Sequence, residues 1–190
     1  MASHDNKQRY RLAWTAALVA VAAVGLGVAA HAGMPIGNRN VPQPAKVVEL
    51  NRYLGTWYEF GRYENLFEKN CDAVTAQYSL LDDGKIRVVN SCRRDGGKGE
   101  TKVSEGKAIV QPDSGNAKLK LSFFGPFYFG DYWVLDHADD YNWAIAGEPS
   151  GKYLWILTRE AVPSAELAAQ LQSRAIELGY DASLIRLTRH

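Results

Sequence analysis

The chain offers two thiols, Cys71 and Cys92, and four imidazoles, His4, His31, His137 and His190, as candidate nucleophiles, bases and metal ligands. A Cys–His or Ser–His pairing needs its base within hydrogen-bond reach of the nucleophile, and no histidine stands near either cysteine in the sequence. His4 and His31 fall in an N-terminal leader and His190 is terminal, which leaves His137 alone and makes a zinc cluster untenable. The run GGKG at 96–99 lacks the strand–turn–helix setting of a phosphate loop. The acidic runs at 82–84 (DDG) and 138–140 (ADD) read as turns before they read as calcium ligands. Glu59 is the one ionisable group expected on an inner strand face, where a buried arginine or polar ligand atoms would partner it. No metal, no cofactor and no enzymatic reaction is expected.

The richer chemistry is apolar. Residues 53–69 (YLGTWYEFGRYENLFEK) crowd aromatic rings between single charges, and 123–130 (FFGPFYFG) place five rings in eight positions. At 190 residues and 46% hydrophobic composition, the chain suits one domain with a sizeable core. A formal net charge of +1 supplies no field that would steer it toward nucleic acid. Gly-rich punctuation with abundant Tyr, Trp and Val favours β-structure.

The first 32 residues are a separate matter. Lys7, Arg9 and Arg11 precede nineteen uncharged residues, Leu12 to Ala30, and Ala30-His31-Ala32 supplies the small-x-small pattern of a cleavage site. Residues 1–32 are therefore read as a signal peptide cut after Ala32, with an uncleaved membrane anchor as the alternative, since the apolar run is just long enough to span. Either way the domain is exported, to a periplasm-like compartment that is oxidising. Residues 33–46 read as a flexible Pro/Gly/Asn linker, and 47–190 as the folded domain.

That domain reads as eight strands, near 56–63, 73–80, 85–92, 101–110, 116–123, 131–136, 141–147 and 152–159, separated by turn signals. Short loops between consecutive strands predict an all-β, up-and-down antiparallel barrel, which leaves no free edge and encloses room for one small ligand. Pro163 and Ser164 open a helix whose Leu167, Leu171, Ala175 and Leu178 form one apolar stripe, so it should pack outside the barrel. Residues 183–189 (SLIRLTR) then add a short final strand. Cys71 and Cys92 flank a hairpin around 82–84. A slightly longer turn or a bulge brings them opposite each other as a disulfide; two buried free thiols are the alternative.

Three blocks, GTWYE at 55–59, DDY at 139–141 and LWILTR ending at Arg159, resemble those of lipocalins in order and spacing. The runs at 72–91 (DAVTAQYSLLDDGKIRVVNS), 104–108 (SEGKA) and 118–128 (KLKLSFFGPFY) resemble the bacterial outer-membrane type more specifically. Members typically carry a lipidated N-terminal cysteine, and this chain has none before Cys71, so anchoring at the outer membrane by lipid is not expected. The resemblance implies that Trp57 lies across the closed end of the barrel under Arg159, with Gly55 permitting close backbone approach. All three are then structural.

If Trp57 faces inward, alternation turns Glu59, Gly61 and Tyr63 inward and Tyr58 and Phe60 outward. Inward Arg159 likewise implies inward Leu157, Trp155 and Tyr153. On the fifth strand Ala117, Leu119, Leu121 and Phe123 form the inner face, with Lys118 and Lys120 solvated. The loops at 64–72, 93–100, 124–130 and 147–152 share the open end. Phe127 and Tyr128 then belong to a portal for apolar chains, or to a plug or dimer contact. Arg62, Arg93, Arg94, Lys98 and Lys152 are candidates to meet a phosphate or carboxylate head. The resemblance implies a fatty acid or lysophospholipid as ligand, held by a monomer or weak homodimer in contact at most with a membrane surface. Two rivals stand beside this: a barrel enzyme using an inward Cys or Glu on a lipid or isoprenoid, and a tetrapyrrole carrier.

Overall fold

The structure, a computed structural model, describes residues 34–190. The expected leader lies outside them. Strands β1 (Gly55–Tyr63), β2 (Asp72–Leu80), β3 (Ile86–Arg93), β4 (Thr101–Val110), β5 (Lys118–Ser122), β6 (Gly130–His137), β7 (Trp143–Gly147) and β8 (Leu154–Thr158) follow one another with antiparallel pairing. Antiparallel pairing of β1 with both β8 and β2 closes the ring. A short helix, α1 (Leu50–Tyr53), precedes β1, and α2 (Ala165–Glu177) follows β8. The strand bounds fall within two residues of those read from alternation, because each run ends where a turn sequence interrupts it.

One closure was not foreseen. β1 meets β2 only over Gly55–Tyr58, paired to Tyr78–Thr75. Above that the seam is filled by β9 (Ile185–Leu187), which pairs with Gly61–Tyr63. The last residues finish the wall: Thr188 N–H donates to the Phe60 carbonyl and Ala73 N–H to that of Arg189. Asp72, which is buried, accepts from Arg186 (2.8 Å) and from Arg189 (2.7 Å). These ion pairs hold its carboxyl below the ordinary range against the opposing effect of burial.

Two apolar compartments share the sheet. Inside the barrel base, Trp57, Ile86, Ala108, Ala117, Leu119 and Val134 pack together. Outside, Leu171 and Ala175 of α2 meet Phe60, Ile145, Leu154 and Ile156. The α2 stripe is thus placed as its spacing demands. Ser164 caps the helix by accepting from the Leu167 N–H at 3.2 Å.

Residues 34–46 are not a free tether. The N–H groups of Gly37 and Asn38 both donate to the Gly151 carbonyl, Asp181 N–H donates to the Gly37 carbonyl, and Asn38 Nδ2 donates to Leu178 O at 2.9 Å. Val41 packs under α2, and Lys46 bridges Asp136 (3.2 Å). A Cβ on Gly151 would sit 1.7 Å from the Asn38 carbonyl oxygen, so glycine there is what admits the strap. Polar composition predicted flexibility; the hydrogen-bond partners lie in loops more than a hundred residues away and leave no local sign.

Candidate functional site

The closed end is built around Trp57, fully buried, with its Nε1 donating to the Tyr53 carbonyl at 2.8 Å. Arg159 lies over its ring, guanidinium carbon 3.6 Å from the centroid. The same guanidinium donates to the carbonyls of Arg52, Tyr53, Leu54, Thr56 and Tyr141. Gly55 is required for a reason other than close approach: an added Cβ would meet only Arg159 Nη1 at 3.5 Å, an ordinary contact, but its φ of 93° disfavours any side chain.

Above this base the barrel is hollow. A cavity of about 560 Å³ opens at the opposite end, within the size range of small-ligand sites. Its floor presents the rings of Tyr78 and Tyr132, and Tyr132 shares a 2.8 Å hydrogen bond with Tyr53. Burial raises all three phenols, Tyr78 to about 12, so they stay neutral. The walls are Val74, Ala76, Val88, Leu121, Phe123 and Leu157. Toward the mouth Tyr153 stacks between Trp155 and Phe67, with 5.6 Å between centroids on each side. Phe124, Phe127 and Phe129 line the opening and are 89%, 62% and 82% exposed. They form an open rim and leave the interior unplugged.

Of the expected ligand-binding residues, Leu121, Phe123, Phe127, Tyr153 and Trp155 line this cavity. Leu119 faces inward but lies in the packed base, and Tyr128 is not part of the lining. Tyr63 is on the wrong side altogether. The β1–β8 register shifts between Glu59 and Gly61, and such a bulge reverses alternation beyond it. Glu59 therefore faces the cavity, Gly61 faces Ile185 and Leu187 outside, Arg62 turns inward, and Tyr63 packs against Tyr180 with its hydroxyl donating to Asp181 O at 3.0 Å.

Arg62 is consequently no rim residue. It is fully buried, donating to Glu59 at 2.6 Å and to the carbonyls of Glu68 (2.9 Å) and Cys71 (3.2 Å). Burial, aided by the Glu68 carboxylate, pushes Glu59 up to about 8 despite the pull of Arg62 and Thr188. Arg93, Arg94, Lys98 and Lys152 also stand outside the lining: the loops are at the open end, but their basic side chains do not reach the cavity. The charged groups that do are Glu59, Glu68, Asp131, Glu148 and Lys102. Asp131 is paired outward with Lys120 at 2.7 Å, while Trp155 Nε1 donates to Glu68 at 3.1 Å.

Cys71 and Cys92 are joined in a disulfide within the cavity wall, with their Cα atoms 5.5 Å apart. A register shift between Asp72 and Thr75, with Ala73 at φ 49°, provides the bulge that opposes them. No thiol is left as a nucleophile among the described residues. His137 stacks on Tyr141 at 4.3 Å beneath the closed end, remote from the cavity lining. Sequence reasoning missed Val74, Ala76, Tyr78 and Val88. Alternation back from inward Cys92 yields Val88, and hairpin pairing of Val88 with Tyr78 then turns Tyr78, Ala76 and Val74 inward; counting from Cys71 gives the opposite face, because the bulge lies between. Nothing local marked Phe67 or Glu68, which reach the cavity from a loop.

A lipocalin-like domain model matches residues 48–190. The chain is 41% identical over 148 residues to the outer membrane lipoprotein Blc of Citrobacter freundii, covering 75% of this chain and 82% of that one. It is 40% identical over 150 residues to temperature-induced lipocalin-1 of Arabidopsis thaliana, covering 75% and 80% respectively. Among solved structures, insecticyanin of the tobacco hornworm Manduca sexta superposes with a TM-score of 0.64 at 24% identity, covering 82% of this chain and 88% of that one, which speaks for the fold alone. With its Trp57–Arg159 base, closed eight-strand ring and open aromatic mouth, this chain belongs to the lipocalin family.

Proposed function

We propose that the protein binds and carries a single-chain lipid in the cell envelope, its acyl tail in the barrel and its head at the mouth. The observation that carries this reading is the 560 Å³ hollow, walled by aliphatic and aromatic side chains and closed at one end. Burying a methylene contributes about 0.8 kcal/mol, so a tail of about fourteen yields roughly 11 kcal/mol gross. Ordering the chain and desolvating its head offset several of these, leaving affinities in the micromolar to nanomolar range.

The lining also bears on the head. Of the four carboxyl groups, Asp131 is paired with Lys120 and Glu59 with Arg62; Glu68 and Glu148 against Lys102 still make a poor host for a free fatty-acid carboxylate, whereas a lysophospholipid brings a cationic or zwitterionic group outside its phosphate. The lysophospholipid is therefore favoured over the fatty acid. Envelope location accords with the similarity to bacterial outer membrane lipoproteins.

Trp155 stands in the wall, so occupation should change its emission. Titrating lysophospholipid should give a saturable change that is lost in Trp155→Phe. Flat titrations with every single-chain lipid, alongside native mass spectra free of bound lipid, would refute the carrier reading.

A further inference from the structure

We propose that the rim of the barrel mouth is a docking surface for a lipid bilayer, with Leu66, Phe67, Phe124, Phe127 and Phe129 entering the interface. This rests on the lipid-carrier reading but concerns a different surface. The five side chains are 82%, 52%, 89%, 62% and 82% exposed, and large apolar groups gathered this way mark an interaction site on a soluble domain.

Continuity chooses a bilayer over another protein. Phe67, Phe124, Phe127 and Phe129 are exposed to solvent and also line the cavity, and the stack of Phe67, Tyr153 and Trp155 carries apolar surface from the outside to the interior. A lipid leaving a bilayer against this rim would slide its tail inward without crossing water. A second copy seated there would instead cap the opening.

Charge plays little part. The mouth loops carry Lys69, Arg93, Arg94, Lys98 and Lys152 against Glu64, Glu68, Asp72, Asp95, Glu100 and Glu148, a near balance, so docking is apolar and depends weakly on salt.

The test uses the full chain and vesicles of phosphatidylcholine, in a Phe129→Trp variant whose emission is read as the difference from the unaltered protein. Docking predicts a blue shift and quenching by vesicles with brominated acyl chains, both persisting as ionic strength rises. Leu66→Ser, exposed and outside the cavity lining, should weaken vesicle partitioning about tenfold. Its lysophospholipid titration should stay unchanged, which separates docking from ligand binding. A difference emission from Phe129→Trp that brominated chains leave unquenched would overturn the proposal. So would a rim buried in a dimer that persists with vesicles present, or Leu66→Ser partitioning like the parent.

Discussion

Replacing Arg159 with Met tests whether the closed end is held by the guanidinium acting as one unit. The side chain donates to five carbonyls gathered from α1, β1 and the turn before β7, and covers Trp57 at 3.6 Å. Hydrogen bonds from a charged donor contribute about 1.5–3 kcal/mol each when sheltered, but Arg159 is half-buried and the freed carbonyls can turn to water. A net of about 0.5 kcal/mol apiece is the reasonable figure here. Adding about 1–2 kcal/mol for the ring contact gives a loss of roughly 4 kcal/mol for Arg159→Met. Urea unfolding should show a lower midpoint at an unchanged m-value. The decisive quantity is the coupling in a cycle with Trp57→Leu, expected at about 1–2 kcal/mol. Coupling below about 0.5 kcal/mol would mean that Arg159 acts through the carbonyls alone, and the cation–π account would be wrong. Lysophospholipid affinity should be unchanged in the single variant, because the cavity opens at the other end.

Glu59 gives a pH signature. A carboxyl raised from 4.5 to about 8 in the folded state contributes stability that is complete below the unfolded value and is lost as pH climbs through the folded one. The shift caps the effect at ~5 kcal/mol. Glu59→Gln should therefore flatten the decline in stability between about pH 5 and 8, measured by urea midpoints at each pH; parallel profiles for variant and parent would sink the assignment. The disulfide closes a loop with a sequence separation of 21, for which chain entropy predicts a loss of ~3 kcal/mol in Cys71→Ser/Cys92→Ser. A loss under about 1 kcal/mol would show that the β1–β2–β9 seam holds that corner without it.

The strands, the helix stripe and the disulfide were legible because each rests on local periodicity or on a hairpin whose register is set nearby. Ile86, Val88 and Cys92 alternate inward with no long-range information needed. What escaped were features fixed by distant partners. Gly61 inside a strand was the one local hint of a bulge, yet its consequence, the exchange of Tyr63 and Arg62 between faces, emerges only when β8 and β9 are laid on either side. The strap at 34–46 and the seating of the expected final strand, β9, in the β1–β2 seam share this character: their hydrogen bonds run to residues more than a hundred positions away.

The misplaced basic rim carries a more general lesson about the site. Alternating loops do locate the mouth, since Phe67, Lys102, Phe129 and Glu148 all come from that end. A loop's position does not fix where its long side chains point, however, and flexible cations gain most by reaching water. Phenylalanine rings have no polar tip to draw them out, and the shorter Glu68 and Glu148 remain at the cavity lining. The proposed preference against a bare carboxylate head accordingly rests on those acids and rings, not on the basic loop residues.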